Sequence, residues 1–347
     1  MWATGTMVDM SVRRASTLTE VAQRAGVSVT TASKAINGQG RVSSATRERV
    51  LQAARELSFT PNPMARSLIS GRSGTVGLIF MDSMTQRFVV PIMLGAEAAL
   101  SEVDLSMIVG DATGGGPRLD QQVELMRRRK VDGVLVVGDN NVPTPSIGDR
   151  AGVPVVYVHG STDVPGDLVH APDDRAHGEL VARHLLGLGR RRVAHVTGPQ
   201  GTRAVRERVA GVSASLAQAG AGPFGPVRYG PWSQRWGRTA ARSVLEADPA
   251  TDAIACGSDQ IASGVVDGLL AAGRRVPDDV AVTGIDNWSV FALETQPPLT
   301  TVDLDLEAMG AGAVRDLFAV IDGHPLDGGT RLQSGELVVR GSTVPPR

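Results

Sequence analysis

The chain has 347 residues, of which 42% are hydrophobic and 20% are charged, and its formal net charge at pH 7 is -1. This length predicts two or three domains, and this composition excludes a chain that is disordered throughout. The single cysteine, Cys256, excludes a disulfide framework and any site built from several cysteines. The sequence has no apolar run of bilayer length and no secretion signal near its start, which favours a cytoplasmic protein.

Charge is distributed unevenly along the chain. Residues 1–72 contain ten arginines and lysines against four acidic residues, whereas residues 73–347 contain 25 against 32. A small basic segment in front of an acidic body is typical of a module that meets phosphate backbones. Arginine outnumbers lysine by 33 to 2, so a coding bias toward surface arginine is an alternative explanation of the charge.

The basic segment has the spacing of a helix-turn-helix. Thr17 and Glu20 form a capping-box pattern at the start of a first helix, and Gly26 suits the turn that follows it. Ser28 is a candidate cap for a second helix, which runs from Val29 to Asn37. So short a connection between two helices predicts the helix-turn-helix arrangement.

A third helix, beginning at Ser43, completes the small bundle. Its predicted apolar stripe consists of Val50, Leu51, Ala54 and Leu57. In the second helix, Ala32, Ala35 and Ile36 are predicted to face this core, which leaves Val29, Thr30, Ser33 and Lys34 facing outward. Short side chains let a helix enter the major groove closely, although a polar surface helix in a bundle that does not bind DNA has the same spacing.

A short helix is predicted within residues 61–71. Asn62 can cap it, and Pro63 suits its first turn. So short a helix is unstable alone in water, so it is expected to order only on a partner. Leu68 can then wedge between base pairs from the minor groove, with Arg66 on a phosphate; a linker helix packed on the body is the alternative.

These segments together resemble the headpiece and hinge of the lactose/galactose-repressor (LacI/GalR) family of bacterial regulators. The resemblance runs from Thr17 to Leu68 and includes VAQRAGVS, RVSSATRERV and NPMARSL. It implies that Val29, Thr30 and Lys34 are the main base readers. It implies phosphate or groove contacts for Thr17, Leu18, Ser28, Thr31, Ser33, Asn37, Ser43 and Thr46, and an intercalating Leu68 flanked by Asn62, Ala65 and Arg66. Lys34 stands where many members have Arg or His, and Ala32 where many have Val, so the operator sequence stays open.

The remainder of the chain alternates between strand and helix patterns. Strands are predicted at 76–80, 105–109, 134–137, 153–158, 193–197, 253–256 and 280–284, and helices at 89–100, 119–129, 179–188, 206–219, 235–247, 260–272 and 306–321. This alternation predicts an α/β fold with two lobes of doubly wound parallel sheets, each of about six strands. Ligands bind beyond the carboxyl ends of such strands, so the cleft between the lobes is the expected site.

From Gly74 onward the chain resembles the effector-binding core of the same family, which is related to periplasmic sugar-binding proteins. The landmarks include KVDGVLVV, RERVAGV, CGSDQIASG and VPDDVAVTGIDN. The resemblance implies an effector site formed by Phe88, His159, Arg208, Trp232, Asp259 and Asp286. The alternatives are a surface salt bridge for Arg208, ordinary core for Trp232 and a structural role for Asp259. His159 stands where many members carry Asp, so a typical hexose cannot be assumed; it is a pocket or core residue or a pH sensor.

The expected organisation is a flexible extension (1–15), a DNA-binding headpiece (16–60), a hinge helix (61–72) and a core (73–347). The first lobe is predicted to hold residues 73–160 and 297–325, and the second 161–296 and 326–340. The expected function is a homodimeric, nucleoid-associated repressor that binds a pseudo-palindromic operator and is controlled by a small molecule, a carbohydrate or related metabolite. No cofactor, metal site or catalytic residue is predicted. A solute-binding receptor, an enzyme on the same fold and a regulator controlled by a protein partner are the alternatives.

Overall fold

The structure is a computed structural model, and the chain divides into two compact units, residues 1–73 and 74–347. The described residues are 16–36, 40–59, 72–81, 87–220 and 225–344. The predicted N-terminal extension, Asn37 and residues 61–71 of the predicted hinge lie outside them.

The first unit contains the three predicted helices, α1 (Leu18–Ala25), α2 (Val29–Ile36) and α3 (Ser44–Glu56). The capping box at the start of α1 is confirmed. The backbone N–H of Glu20 donates to Thr17 Oγ1 at 3.3 Å, and the backbone N–H of Thr17 donates to Glu20 Oε2 at 2.7 Å. Each bond satisfies a donor that the helix itself leaves unpaired at its start.

The turn between α1 and α2 is as short as the spacing predicts. Gly26 adopts the left-handed conformation, with φ of 65°, and its N–H donates to the carbonyls of Ala22 and Gln23. Glycine reaches this conformation without the steric cost of a side chain. Ser28 Oγ then accepts from the backbone N–H of Thr31 at 3.1 Å, which caps α2 as predicted.

Small side chains fill the core of this unit. Its buried members are Val21, Ala22, Ala32, Ala35, Val50 and Ala53. The predicted stripe of α3 is wrong at Leu51, which is 37% exposed, because Ala53 takes the buried position instead. Val50, Ala53 and Leu57 follow one another at three- and four-residue spacing and so share one helix face, whereas Leu51 lies beside that face.

Two six-stranded sheets form the second unit, in agreement with the predicted doubly wound α/β core. The strands of the first sheet are β1 (Thr75–Phe80), β2 (Ser106–Asp111), β3 (Gly133–Val137), β4 (Val155–Val158), β5 (Leu168–Pro172) and β11 (Gly329–Gln333). Their order is β11-β5-β4-β3-β1-β2, and every pair is parallel. In register, Val76 of β1 lies between Met107 of β2 and Gly133 of β3.

The second sheet repeats this plan with one antiparallel edge. Its strands are β6 (Val193–Thr197), β7 (Arg228–Tyr229), β8 (Ala253–Cys256), β9 (Ala281–Ile285), β10 (Thr300–Asp303) and β12 (Glu336–Val338). The order is β12-β10-β9-β8-β6-β7, and only β12 runs antiparallel to its neighbour. Strands β6, β8 and β9 are buried along their whole length, as expected for parallel strands covered on both faces.

Helices cover both sheets and define the two lobes. The first lobe carries α4 (Val89–Ser101), α5 (Pro117–Arg129), α6 (Gly148–Ala151) and α12 (Leu306–Ile321). The second carries α7 (Asp174–Gly187), α8 (Arg203–Gln218), α9 (Gln234–Ala247), α10 (Asp259–Ala271) and α11 (Ser289–Ala292). Among the described residues, no helix combines the length and the apolar character needed to cross a membrane.

The chain passes between the lobes three times, at 172–174, 303–306 and 333–336. These positions correct the predicted lobe boundaries at 160, 296 and 325, since β5 and β11 belong to the first sheet and β10 to the second. The three strands have weak sequence signals. His170 interrupts the apolar run of β5, β10 begins with two buried threonines, and β11 is a mostly exposed edge strand.

Candidate DNA-binding surface and effector site

The predicted base readers lie on the outer surface of α2. Val29 is 44% exposed, and Thr30 and Lys34 are exposed as well. Thr30 and Lys34 are four residues apart and so stand one helical turn from each other. The aliphatic stem of Lys34 lies against Gly40, where an added Cβ would be 3.3 Å from Lys34 Cδ. This contact supports the stem of a side chain whose charged end stays exposed.

Several predicted phosphate contacts are residues that cap the helices. Thr17, Ser28 and Ser43 each accept a backbone N–H at the start of α1, α2 and α3. Their partners include Thr31 and Thr46, whose hydroxyls also bond to Ser28 and Ser43, at 2.8 and 2.9 Å. Helix N-termini carry partial positive charge and unpaired N–H groups, both of which suit phosphate.

The remaining predicted DNA contacts divide by whether the structure describes them. Leu18 packs against the headpiece core, and Ser33 is half-buried on α2. Outside the described residues lie Asn37, Asn62, Ala65, Arg66 and Leu68.

A cleft opens between the lobes of the second unit, where the carboxyl ends of both sets of strands meet. It contains two cavities of about 440 and 430 Å³, within the size range of small-molecule sites. The first cavity is lined by Arg87, Phe88, Asp139, Asn140, Asn141, His159, Ala204, Arg208, Trp232, Gln260 and Trp288. The predicted site residues Phe88, His159, Arg208 and Trp232 are therefore together in one cavity.

Arg208 is fixed deep in the cleft by three carbonyl or carboxylate groups. Its Nε donates to Asp174 Oδ1 at 2.8 Å, its Nη1 donates to the carbonyl of Gly257 at 2.6 Å, and the same Nη1 lies 3.7 Å from Asp286 Oδ1. Burial favours the neutral acid at Asp174, but the charge of Arg208 and hydrogen bonds from Asn140 and Arg208 keep its pKa below the usual value. The guanidinium is thus held rigidly at the wall of the first cavity by its bonds through Nε and Nη1.

Asp286 lines the second cavity and faces a different arginine. Arg87 Nη2 lies 2.6 Å from Asp286 Oδ2, and the Asp286 side chain is 1% exposed. Burial raises the pKa of Asp286, although the charges of Arg87 and Arg208 oppose this. Oδ2 is engaged by the close pair with Arg87, whereas Oδ1 has Arg208 Nη1 at 3.7 Å and no hydrogen bond from a described residue. One buried acceptor of Asp286 therefore retains unused hydrogen-bonding capacity.

Aromatic rings line the cleft from both lobes. Phe88 follows β1, Trp232 follows β7, and Trp288 follows β9. The Trp232 ring lies so close to the backbone after β6 that a Cβ at Gly198 would overlap it. Flat rings beside hydrogen-bonding groups suit ligands that have an apolar face and polar edges.

His159 lies on the Phe88 ring at a centroid distance of 4.4 Å and is 3% exposed. Its backbone has a φ of 58°, and its N–H donates to the carbonyl of His170 at 2.7 Å. Burial lowers the pKa of His159 to about 4, against the opposing charge of Asp174. The imidazole is therefore neutral near pH 7, where its Nδ1 lies 3.5 Å from the carbonyl of Gly138.

Asp259 does not line either cavity. It is fully buried, and its carboxylate accepts from Thr301 Oγ1 at 2.5 Å and from the backbone N–H of Trp288 at 2.7 Å. Burial and the charge of Asp286 raise the pKa of Asp259 to about 8. These contacts agree with a structural role for Asp259, which was the alternative to effector binding. Asp259 joins α10 to β10 and to the loop that carries Trp288.

Sequence reasoning missed several cleft residues. The principal ones are Arg87, Asn140, Asn141, Asp174 and Trp288. Asn140 and Asn141 end a polar run directly after β3, and Trp288 comes two residues after Asp286, so position at the carboxyl ends of strands was an available signal. Arg87 and Asp174 had no such sequence signal, because the role of each residue depends on a partner that is distant in sequence.

A helix-turn-helix unit in front of a two-lobed α/β core with a polar cleft defines a DNA-binding regulator with a ligand-binding core. The profile "Bacterial regulatory proteins, lacI family" matches residues 17–62, and the profile "Periplasmic binding protein-like domain" matches residues 182–343. The HTH-type transcriptional regulator CelR of Thermobifida fusca is 36% identical over 96% of this chain and 100% of its own length. The ribose operon repressor of Escherichia coli K12 is 31% identical over 86% of this chain and 91% of its own length. The chain therefore belongs to the LacI family of bacterial transcriptional regulators.

Solved structures agree with this assignment. A "transcriptional regulator CelR-cellobiose complex" matches with a TM-score of 0.66 at 32% identity, covering 94% of this chain and 99% of the other. The lac repressor dimer bound to operator and the anti-inducer ONPF matches with a TM-score of 0.73 at 25% identity, covering 95% and 99%.

Proposed function

We propose that the chain is a repressor whose affinity for its operator is controlled by a carbohydrate bound in the cleft between the two core lobes. The observation that carries this proposal is the chemistry of the cleft. A fixed guanidinium, a buried carboxylate with one unused acceptor oxygen and aromatic rings from both lobes converge there. Such a set recognises hydroxyl groups on a ring with an apolar face, and it binds rather than converts its ligand.

Relatives support the carbohydrate class. CelR of Thermobifida fusca is 36% identical over nearly the whole chain, and a solved complex described as CelR with cellobiose matches this chain at 32% identity. His159, neutral near pH 7, can exchange hydrogen bonds with hydroxyl groups but does not provide the charge of a carboxylate.

DNA recognition is assigned to α2 and to the helix N-termini around it. Val29, Thr30 and Lys34 would read bases in the major groove, because they are exposed on the outer surface of α2. The capping residues Thr17, Ser28 and Ser43 would meet phosphates, and Leu68 would order with its hinge helix in the minor groove. Two copies of the chain would bind the halves of a pseudo-palindromic operator, as expected from the lac repressor dimer on its operator.

Coupling between the sites would run through the three crossings between the lobes. An effector that contacts both lobes changes their relative rotation about these crossings, and the first lobe follows the hinge directly along the chain. Coupling free energies of this type are about 1–3 kcal/mol, which changes affinity roughly 5- to 150-fold.

The test has two stages that use the full-length protein. Selection from a random duplex library identifies the operator, and fluorescence anisotropy then measures operator affinity with each member of a panel of sugars, sugar phosphates, nucleosides and purines. We expect one carbohydrate to change the affinity by at least fivefold. Failure to enrich any duplex would refute sequence-specific operator binding. A response only to nucleosides or purines would refute a carbohydrate as the effector.

A further inference from the structure

The Arg87 side chain lines both cavities of the cleft and joins the two lobes. Arg87 follows β1 of the first lobe, Asp286 follows β9 of the second, and their ion pair crosses the cleft at 2.6 Å. Both side chains are largely buried, at 13% and 1% exposed. A paired charge at this position holds the lobes together without any ligand.

The guanidinium of Arg87 also occupies the aromatic faces of the cleft. Its Cζ lies 4.5 Å from the centroid of Phe88 and 5.1 Å from that of Trp288. Cations are attracted to such faces. Arg87 thus uses a carboxylate and two rings, the same three groups that a bound sugar ring would use.

This internal contact is incomplete. Arg87 Nη2 engages Asp286 Oδ2 at 2.6 Å, but Asp286 Oδ1 and Arg87 Nε have no hydrogen bond among the described residues. Hydroxyl groups that donate to both oxygens would replace one ion pair by two charge-assisted hydrogen bonds. Leaving Oδ1 and Nε without hydrogen bonds is costly in a buried site, so the contact is suited to replacement.

We propose that Arg87 is a latch between the lobes: it occupies the Asp286 subsite when no effector is bound, and an effector with at least two sugar rings takes its place. Arg87, Phe88 and Trp288 line both cavities, so the Arg87 side chain lies where the two spaces of about 440 and 430 Å³ adjoin. A carbohydrate that stays within one cavity leaves Arg87 in place. A longer carbohydrate that extends across Arg87 into both cavities displaces it from Asp286.

Arg87 affects ligand specificity because a ligand that must break the Arg87–Asp286 pair binds with lower apparent affinity. A ligand that needs a minor open state has its apparent affinity reduced by the fraction of molecules in that state. Two-ring ligands need that open state and offset its cost by bonding to Asp286, whereas one-ring ligands leave Arg87 in place and do neither. Arg87 thus determines ligand length; this assignment rests on the proposed function of the cleft.

The decisive experiment measures lobe separation without any ligand. Spin labels are placed at Val142→Cys after β3 and Arg206→Cys on α8, one on each lobe; Val142 is 58% exposed and Arg206 is exposed. Cys256 is 1% exposed and does not compete for the label. Double electron–electron resonance on dimers with one labelled chain compares wild type, Arg87→Met, Asp286→Asn and the double variant.

We expect Arg87→Met and Asp286→Asn each to shift the distance distribution toward longer values, and the double variant to add little to either. Such non-additivity marks residues that act through one contact. Arg118→Gln, which removes an exposed arginine of the first lobe, is the control and should leave the distribution unchanged. Unchanged distances in Arg87→Met, or fully additive shifts, would overturn the latch.

Calorimetry with cellobiose and glucose tests the ligand-length prediction on the same proteins. Arg87→Met should bind cellobiose about tenfold tighter than wild type and should gain clearly less affinity for glucose. Equal gains for both sugars would overturn the claim about length. If neither sugar binds either protein, the two-ring carbohydrate is refuted as the occupant, while the label distances still decide the latch. Operator binding, measured separately, decides the proposed regulatory function.

Discussion

Asn140 Nδ2 donates a hydrogen bond to Asp174 Oδ2 at 2.7 Å and thereby connects the loop after β3 in the first lobe to the first turn of α7 in the second. Asp174 binds Arg208 at the same time, through its other oxygen. Arg203 completes the group, donating to Asn140 Oδ1 at 2.8 Å. One buried carboxylate thus positions the arginine of the proposed effector site and also holds a contact between the lobes.

Removing that carboxylate should destabilise the core strongly. Asp174→Ala leaves Arg208 buried without its principal partner, and breaking a buried pair from one side costs about 3–5 kcal/mol. Urea unfolding followed by tryptophan fluorescence measures this loss of stability, because Trp232, Trp236 and Trp288 are half-buried residues of the second unit. The control is Asp267→Ala, which breaks the exposed pair with Arg238 and should cost at most about 1 kcal/mol. Equal losses in the two variants would contradict the role given to burial.

Lys34→Ala should weaken discrimination at one base pair of each operator half-site. Its exposed amine, one turn from Thr30, can reach a base edge, and a good contact of this kind contributes about 1–3 kcal/mol of discrimination. Affinities for the operator and for single-base variants, measured at fixed salt, check this. Gln52→Ala changes an exposed residue of α3 outside the predicted contacts and should leave the base preferences intact. A uniform loss across all sequences would instead assign Lys34 to a phosphate.

Gly198→Ala should displace Trp232, because the new Cβ would overlap the indole ring. We expect effector affinity to fall at least tenfold and operator affinity without effector to stay the same. The matched control is Gly187→Ala in α7, where an added Cβ meets nothing within 4 Å. If effector affinity survives in Gly198→Ala, Trp232 is not part of the binding surface.

Acid should destabilise the core partly through His159. Its pKa is lowered by burial to about 4 in the folded chain, from an ordinary value of 6.5, so the unfolded chain binds more protons between these values. Titration of His159 therefore leaves the free energy of unfolding unaffected well above pH 6.5 and lowers it progressively as the pH drops toward 4. Between pH 7.5 and 5 this residue accounts for about 1–2 kcal/mol of the loss.

The measurement is urea unfolding of wild type and His159→Gln at pH 7.5, 6 and 5. The loss of stability on acidification should be smaller in the variant by that amount. His177 and His195 also have pKa values lowered to about 4 by burial, so the variant retains the rest of the acid sensitivity. Parallel pH curves for the two proteins would show that His159 does not titrate as described.

The sequence predicts features that depend on local pattern, and misses those that depend on distant partners. The capping box at Thr17 and Glu20 and the buried strands are local, and the structure confirms them. Family resemblance predicted that Phe88, His159, Arg208 and Trp232 belong to one site, and the structure places these four residues in one cavity. Arg87 was missed because its role depends on Asp286, 199 positions away along the chain. The lobe boundaries were wrong because β5, β10 and β11 have polar or exposed residues where a strand signal needs apolar ones.

The three crossings between the lobes have a consequence for synthesis on the ribosome. The first sheet needs β11 at residues 329–333 and the second needs β12 at 336–338, so neither sheet can be completed until the last part of the 347-residue chain has emerged. The three helices of residues 18–56 have all their core partners in the first part to emerge. A nascent chain can therefore fold its helix-turn-helix unit before either sheet of its effector-binding core is complete.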